Sequence, residues 1–317
     1  MSLFSNIKRV TQLLKGAAGK TYDLSSDPVF REFVPWHGNV AAGFDVNFLG
    51  QLTDVSFNKG WDDQERMRDR YSWPPYPPLD EELFEWKTML SAILDAKDSF
   101  VMIEAGAGYG RWMVSAMRAC QVRRPDLACQ LIGIEADPTH YRWMRKHFLD
   151  NGLNPDSHRL IFAAVDEKNG EGTYLCGDDP AMWYGQHLAY AEHHETNLND
   201  GYKRIIVPTL TIDAILADLD RVDLIDFDIQ YAEGRAIPVS IEAMTRKVKR
   251  VFVETHSAEI HEIVQRSFES NQWQCTDRYG YVHGCPSVER TPFGSITFAA
   301  GVQCWINPKL AISKGIG

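Results

Sequence analysis

From about residue 85 onward, apolar and polar positions alternate in blocks. The short apolar runs Phe100–Ile103, Leu131–Ile134, Leu160–Val165, Val222–Ile229 and Arg250–Glu254 read as strands. Four of them close on an acid: Glu104, Glu135, Asp166 and Glu254. Between the runs, apolar residues recur at helical spacing: Trp112, Met113, Ala116 and Met117, then Tyr141, Met144 and Phe148 before the Asn151-Gly152 stop. Further helical segments fall at about 235–247 and 258–270, where Ile260, Ile263, Val264 and Phe268 share a face. Strands separated by helices need crossover connections, and crossovers make a parallel sheet. After the last helix, Trp273–Val282 and Ser295–Ile306 read as two strands with only a Gly/Pro-bearing loop between them, so they must pair antiparallel. The fold class is α/β: a doubly wound, mostly parallel sheet with a C-terminal antiparallel hairpin.

Two stretches break the alternation. Residues 21–84 are aromatic and include the run Pro74-Pro75-Tyr76-Pro77-Pro78, which excludes a helix and favours an extended path. Residues 177–206 form an insertion between two strand-like segments. The chain therefore divides into an extension, 1–97, capping a core domain, 98–317, that carries the 177–206 insertion. Five of the nine tryptophans lie in these additions. At the start of the chain, Leu3, Phe4, Ile7, Val10, Leu13 and Leu14 form one apolar helical stripe beside four basic residues, predicting a helix docked on its own domain or on a dimer mate.

Composition narrows the function classes. A 44% hydrophobic and 24% charged chain is globular, and its net charge of −10 argues against an overall grip on nucleic acid. No apolar run approaches the roughly 18 residues of a membrane span, and charges interrupt every candidate signal segment. The six cysteines show no C-x-x-C pair, so they read as reduced thiols in a cytoplasmic protein.

The chemistry begins at Glu104-Ala105-Gly106-Ala107-Gly108-Tyr109-Gly110-Arg111, directly after a strand and opening a helix. Glycines let the backbone turn tightly and approach a ligand at the carboxyl end of the first strand. A dinucleotide loop needs glycine where Arg111 stands, and Glu104 would repel a pyrophosphate while suiting a cationic amino-acid tail. This E-x-G-x-G-x-G pattern resembles that of S-adenosylmethionine-dependent methyltransferases. The reading places Gly106, Gly108, Tyr109 and Gly110 against the cofactor and Glu104 at its methionine amine. Glu135, followed by Ala136 at the second strand tip, is placed for the ribose hydroxyls. Ala164, Val165 and Asp166 stand where such enzymes often line the adenine, with Asp166 able to accept from its amine.

Further motifs follow: Ile206-Val-Pro-Thr209-Leu210-Thr-Ile-Asp213, then Leu224-Ile-Asp226-Phe-Asp228-Ile-Gln230-Tyr-Ala-Glu233-Gly, then Arg250-Val-Phe-Val-Glu254-Thr-His256. In this order they resemble the FkbM family of methyltransferases over roughly residues 98–300. Tyr231 stands where the family usually has glycine. The resemblance implies S-adenosylmethionine as cofactor and O-methylation of a glycan or a secondary-metabolite hydroxyl. Two alternatives are a nicotinamide-dependent oxidoreductase and a catalytically degenerate methyltransferase fold acting as a binding module.

A hydroxyl acceptor needs its proton removed by a general base or a metal. Asp228, near the glycine loop, and His256, just past the fifth strand, are the candidate catalytic residues. Asp226 is assigned to the cofactor and is expected to point to the opposite face of the sheet from Asp228. Asp228, Glu254 and His256 supply oxygen and nitrogen ligands from adjacent strand tips, which allows a divalent metal without the spacing compelling one. In the insertion, Trp183, Tyr184, His187, Tyr190, His193 and His194 suggest an aromatic lid or a dimer contact rather than a metal site.

Overall fold

A computed structural model describes residues 22–182, 184–190, 202–281 and 286–310. The proposed helix at 1–20 and the insertion residues Trp183, His193 and His194 lie outside the described residues.

The centre is a seven-stranded sheet of β1 (Ser99–Ala105), β2 (Ala128–Glu135), β3 (Arg159–Phe162), β4 (Leu224–Phe227), β5 (Arg250–Thr255), β6 (Gln274–Tyr279) and β7 (Gly301–Ile306). Its spatial order is β3-β2-β1-β4-β5-β7-β6. The pairs from β3 through β5 are parallel, while β7 runs antiparallel to both β5 and β6. The order reverses between β1 and β4, which opens a crevice beyond their carboxyl ends.

Both faces of this sheet are covered, which is why its strands read as unbroken apolar runs. Neighbouring residues alternate between two cores. Met102, Leu131, Leu224 and Phe252 pack on one side with α1 (Leu83–Asp95) and α2 (Arg111–Arg123). Ile103, Ile132, Ile225 and Val251 pack on the other with α5 (Glu233–Lys247) and α6 (Ala258–Ser270). The two helices between these pairs are α3 (Pro138–Asp150) and the short α4 (Ile212–Leu216). Asp137 caps α3 by accepting the Thr139 and His140 N–H groups, with Pro138 at the first turn.

Three expectations are corrected. The run Leu160–Val165 is two strands: the ladder to β2 ends with the Ala163 N–H on Glu135 O, and Ala164–Val165 then pairs parallel with Thr209–Leu210. Those residues join a second sheet with Gly170–Cys176 and His187–Leu188. The run Ser295–Ile306 is also broken: Gly294–Phe298 pairs with Ser287–Thr291, and only Gly301–Ile306 enters the main sheet. Finally, Lys203–Ile206 belongs to a regular strand rather than to the irregular insertion.

Residues 22–82 form a layer of short pieces fastened by aromatic rings. Phe30, Phe33, Phe48 and Phe57 are fully buried, and Phe57 stacks on Trp143 of α3 at 5.0 Å. The proline run has no regular element. Cys120, Cys129, Cys176, Cys275 and Cys304 are free thiols. Among the described residues, no helix is long and apolar enough to cross a membrane.

Candidate active site

The glycine loop turns under the tips of β1 and β4. Gly106 takes φ +80°, and a Cβ there would lie 1.7 Å from the Asp228 carbonyl oxygen, so no side chain fits. Gly110, at φ +74°, occupies the N-cap of α2 but offers no capping side chain. Glu104 caps the helix instead, accepting the Met113 N–H at 2.8 Å and the Trp112 N–H at 3.3 Å. Burial and the nearby Asp226 raise the Glu104 pKa well above the usual carboxylate range, although these N–H groups oppose the shift.

Two adjoining chambers lie beyond the strand tips and share Gly106, Gly108, Tyr184 and Asp228 as walls. The first is mostly apolar, lined by Ala136, Ala164, Val165, Tyr174 and Leu188, with Glu135 as its acid besides the shared Asp228. Glu135 is 4% exposed and accepts the Gly108 and Asp137 N–H groups, each at 2.6 Å. Burial pushes its pKa up to about 8 against the pull of those bonds. Gln186, also in the wall, has its buried Nε2 without a hydrogen-bond partner. Ala164 and Val165 line this chamber as the sequence suggested, but Asp166 does not. Its carboxylate accepts the Tyr190 hydroxyl at 3.1 Å and lies 3.7 Å from Arg235, so its assignment to the adenine amine is not supported.

The second chamber, of about 280 Å³, is acidic: Glu85, Glu104, Asp226, Asp228 and Glu254 face it. Strand register explains the convergence. Asp226 lies beside Glu104 in the β1–β4 pair and beside Phe252 in the β4–β5 pair, so Glu254 is one pleat further along the same face. The expectation that Asp226 and Asp228 point to opposite faces is wrong, because the pleat repeats every two residues; both line this chamber. Helix α1 lies over that face and adds Glu85, which sequence reasoning missed. Its only signal was one acid within the apolar stretch Leu83-Phe84-Glu85-Trp86. Burial and the neighbouring Asp226 raise the Glu85 pKa well above normal. Asp226 is 2% exposed, and its Oδ2 has no hydrogen-bond partner. Arg111 also borders the chamber, but its guanidinium is held by Glu82 through two bonds of 2.8 and 2.6 Å. Tyr109 is buried in the same wall, edge-on to His147 at 5.3 Å.

At the mouth, β4 has ended and Asp228 is 41% exposed, its Oδ1 accepting from Gln230 Nε2 at 2.8 Å. His256 Nε2 stands 3.4 Å from Asp228 Oδ1 and 3.6 Å from Glu254 Oε1, while its Nδ1 is 3.0 Å from Glu233 Oε1. Glu233 is fully buried; it lies within the Leu224–Gly234 motif, where sequence reasoning did not single it out. Burial disfavours the His256 charge, yet Glu233 and Asp228 outweigh it and hold its pKa well above the ordinary imidazole value. His256 is therefore where the sequence placed it, but the carboxylates around it favour positive charge at this point rather than a neutral general base.

The model of the Methyltransferase FkbM domain matches residues 104–281, more than half of the chain. The protein belongs to the FkbM methyltransferase family. It is thus a methyltransferase of the S-adenosylmethionine-dependent class, as the motif order indicated, and the nicotinamide alternative is set aside. A protein from Jannaschia sp. (strain CCS1), named as a methyltransferase, is 24% identical over 249 residues, covering 77% of this chain and 86% of that one. The crystal structure of methyltransferase FkbM from Methylobacillus flagellatus KT shares 12% identity, covers 66% of this chain and 44% of its own, and gives a TM-score of 0.39. The ribosomal protein L11 methylase from Lactobacillus delbrueckii subsp. bulgaricus shares 11%, covers 74% and 89%, and gives 0.36. TM-scores this low leave the fold assignment to the strand order itself.

Proposed function

We propose that this FkbM-family enzyme methylates an oxygen, on a hydroxyl of a glycan or a secondary metabolite. The observation that carries the reading is Asp228: a half-exposed carboxylate at the junction of the two chambers, held by Gln230 and facing His256 Nε2 at 3.4 Å. The donor-binding residues fit S-adenosylmethionine on independent grounds. The orphaned Gln186 Nε2 gives the apolar chamber an unused donor for a heteroaromatic base, and Gly106 leaves no Cβ between the strand tips. In this reading Ala136, Ala164 and Val165 pack on the adenine, Glu135 accepts from the ribose, and Glu104 and Asp226 face the methionine ammonium.

The cofactor supplies an electrophilic methyl group on a sulfonium. The protein must then align an acceptor oxygen with it and take up the hydroxyl proton. Asp228 is the group that accepts this proton, and His256 positions Asp228. The test is transfer of labelled methyl from S-adenosylmethionine to a panel of hydroxylated glycans and metabolites, with products located by mass spectrometry. Asp228→Asn should lower transfer by about 10²-fold or more while binding of S-adenosylhomocysteine persists. Methylation confined to nitrogen or carbon, or full activity in Asp228→Asn, would overturn the reading.

A further inference from the structure

We infer that Asp228, Glu254 and His256 form a divalent-cation site at the acceptor end of the acidic chamber. The inference deepens the proposed O-methylation and rests on it for the cation's use, but not for its binding. One oxygen of each carboxylate and one imidazole nitrogen lie within 4.8 Å of one another. Ligands bound to one cation at about 2.1–2.2 Å in tetrahedral or octahedral geometry are separated by about 3.0–3.6 Å along each edge. The distances from His256 Nε2, 3.4 Å to Asp228 and 3.6 Å to Glu254, fall in that range. They are too long for a good N–H···O bond, and Nε2 is buried with no hydrogen-bond partner.

The other side of the ring is fixed. His256 Nδ1 bonds the fully buried Glu233, and Glu233 Oε1 also accepts the Ile229 N–H at 3.1 Å. A carboxylate that fixes the rear nitrogen of an imidazole directs the front nitrogen at a metal and strengthens it as a ligand. Here the front nitrogen faces two carboxylates, an arrangement that is repulsive for a lone pair and favourable for a cation.

A second observation comes from the chamber wall. Asp226, 2% exposed, presents an unpartnered Oδ2 to the same cavity. With Glu85, Glu104, Asp228 and Glu254 it makes a strongly acidic wall, and Arg111 is already committed to Glu82. One methionine ammonium balances only part of this. Glu254 at 31% and Asp228 at 41% side-chain exposure leave room for water or an acceptor oxygen as further ligands. An oxygen bound to the cation loses its proton more readily, which is the demand a hydroxyl acceptor makes. Two carboxylates with one imidazole suit Mn²⁺ or Mg²⁺ better than a thiolate-seeking ion.

The test uses the full chain, freed of metal by chelation, and Mn²⁺ as probe. Loss of the free-Mn²⁺ paramagnetic resonance signal should show one bound ion per chain. Glu254→Gln and His256→Asn should each weaken that binding at least tenfold. Binding of S-adenosylhomocysteine, measured by calorimetry on the same samples, reports that each variant is folded. Absence of saturable Mn²⁺ binding overturns the site, as does wild-type affinity in both variants. So does occupation of the same place by a simple alkylammonium probe without competition from Mn²⁺. If S-adenosylhomocysteine binds and Mn²⁺ does not, the cation site alone fails; if neither binds, the donor-site reading fails as well.

Discussion

The two chambers are built from the same strand tips but on opposite electrostatic plans. In the first, Glu135 is the one acid besides the shared Asp228, and two backbone N–H groups bind it. In the second, five acids face one another beside the Arg111-paired Glu82, and among those five only Glu104 accepts backbone N–H groups. The first is a finished cradle whose polar demands are nearly met by the protein. The second is an incomplete charge arrangement whose stable form needs a positive partner from outside. A buried carboxylate without a counter-charge shifts its pKa upward rather than staying ionised.

Removing the wall the chambers share should have the largest effect. In Gly106→Ala, a methyl group 1.7 Å from a backbone oxygen at φ +80° forces the β1–β4 crevice apart. The expected cost is about 4 kcal/mol, with loss of S-adenosylhomocysteine binding. Gly108→Ala, at φ +52° with only Tyr184 at 3.5 Å, should cost about 1 kcal/mol. Urea denaturation of both variants checks the ranking, and equal costs would refute the crowding argument.

A pH series probes the finished cradle itself. Glu135 has a folded pKa of about 8 against an unfolded value of 4.5, so the folded state holds its proton longer. Stability from this group is therefore full below pH 4.5 and is lost as pH rises toward and through 8. Between pH 5 and pH 8 the loss should be about 3.5 kcal/mol in the cofactor-free protein. Glu135→Gln should flatten that part of the stability curve between pH 5 and 8 while weakening cofactor binding. An unchanged slope in the variant would show that Glu135 is ionised throughout.

The same contrast separates what the sequence made legible from what it did not. The first chamber draws on neighbouring strand tips, so a glycine loop and acids at run ends reveal most of it. Glu85 is different: it is 141 positions before Asp226, and only the packing of α1 over the sheet brings the two together. No local pattern carries that information. Asp166 erred in the other direction, since a correct strand-end position did not determine its side-chain partners. The break at Ala163 was hidden because both halves of the run are apolar and each enters a sheet. The turn after β4 explains the family glycine that this chain lacks, as Gln230 and Tyr231 both take positive φ, 47° and 75°. Tyr231 accepts this strain beside the His256 ring, 5.5 Å away.

Glu85 also gives a sharper test of the acidic plan. Glu85→Gln keeps a neutral donor beside Asp226 and should change stability by less than about 0.5 kcal/mol at pH 6. Glu85→Leu removes the donor and leaves Asp226 to be buried alone, which should cost about 2 kcal/mol. If the leucine variant is as stable as the glutamine variant, the pair is not coupled as described. Calorimetric melting of the three proteins distinguishes these outcomes.

The smallest effect concerns the wall between the chambers contributed by the insertion. Tyr184 stacks on His140 at 4.4 Å and 12° between planes, and its hydroxyl donates to Phe57 O at 2.5 Å. It thereby ties the insertion to both α3 and the N-terminal layer. Tyr184→Phe keeps the ring and removes one hydrogen bond, so stability should fall by about 1 kcal/mol. Affinity for S-adenosylhomocysteine should fall only two- to fivefold, because the stacked ring still closes the chamber. Tyr184→Ala should lose more affinity, since the divider between an apolar and an acidic compartment is gone. If Tyr184→Phe instead lowers methyl transfer by more than about 10²-fold at unchanged affinity, the hydroxyl itself takes part in the chemistry. The partition between the chambers would then belong to the catalytic apparatus.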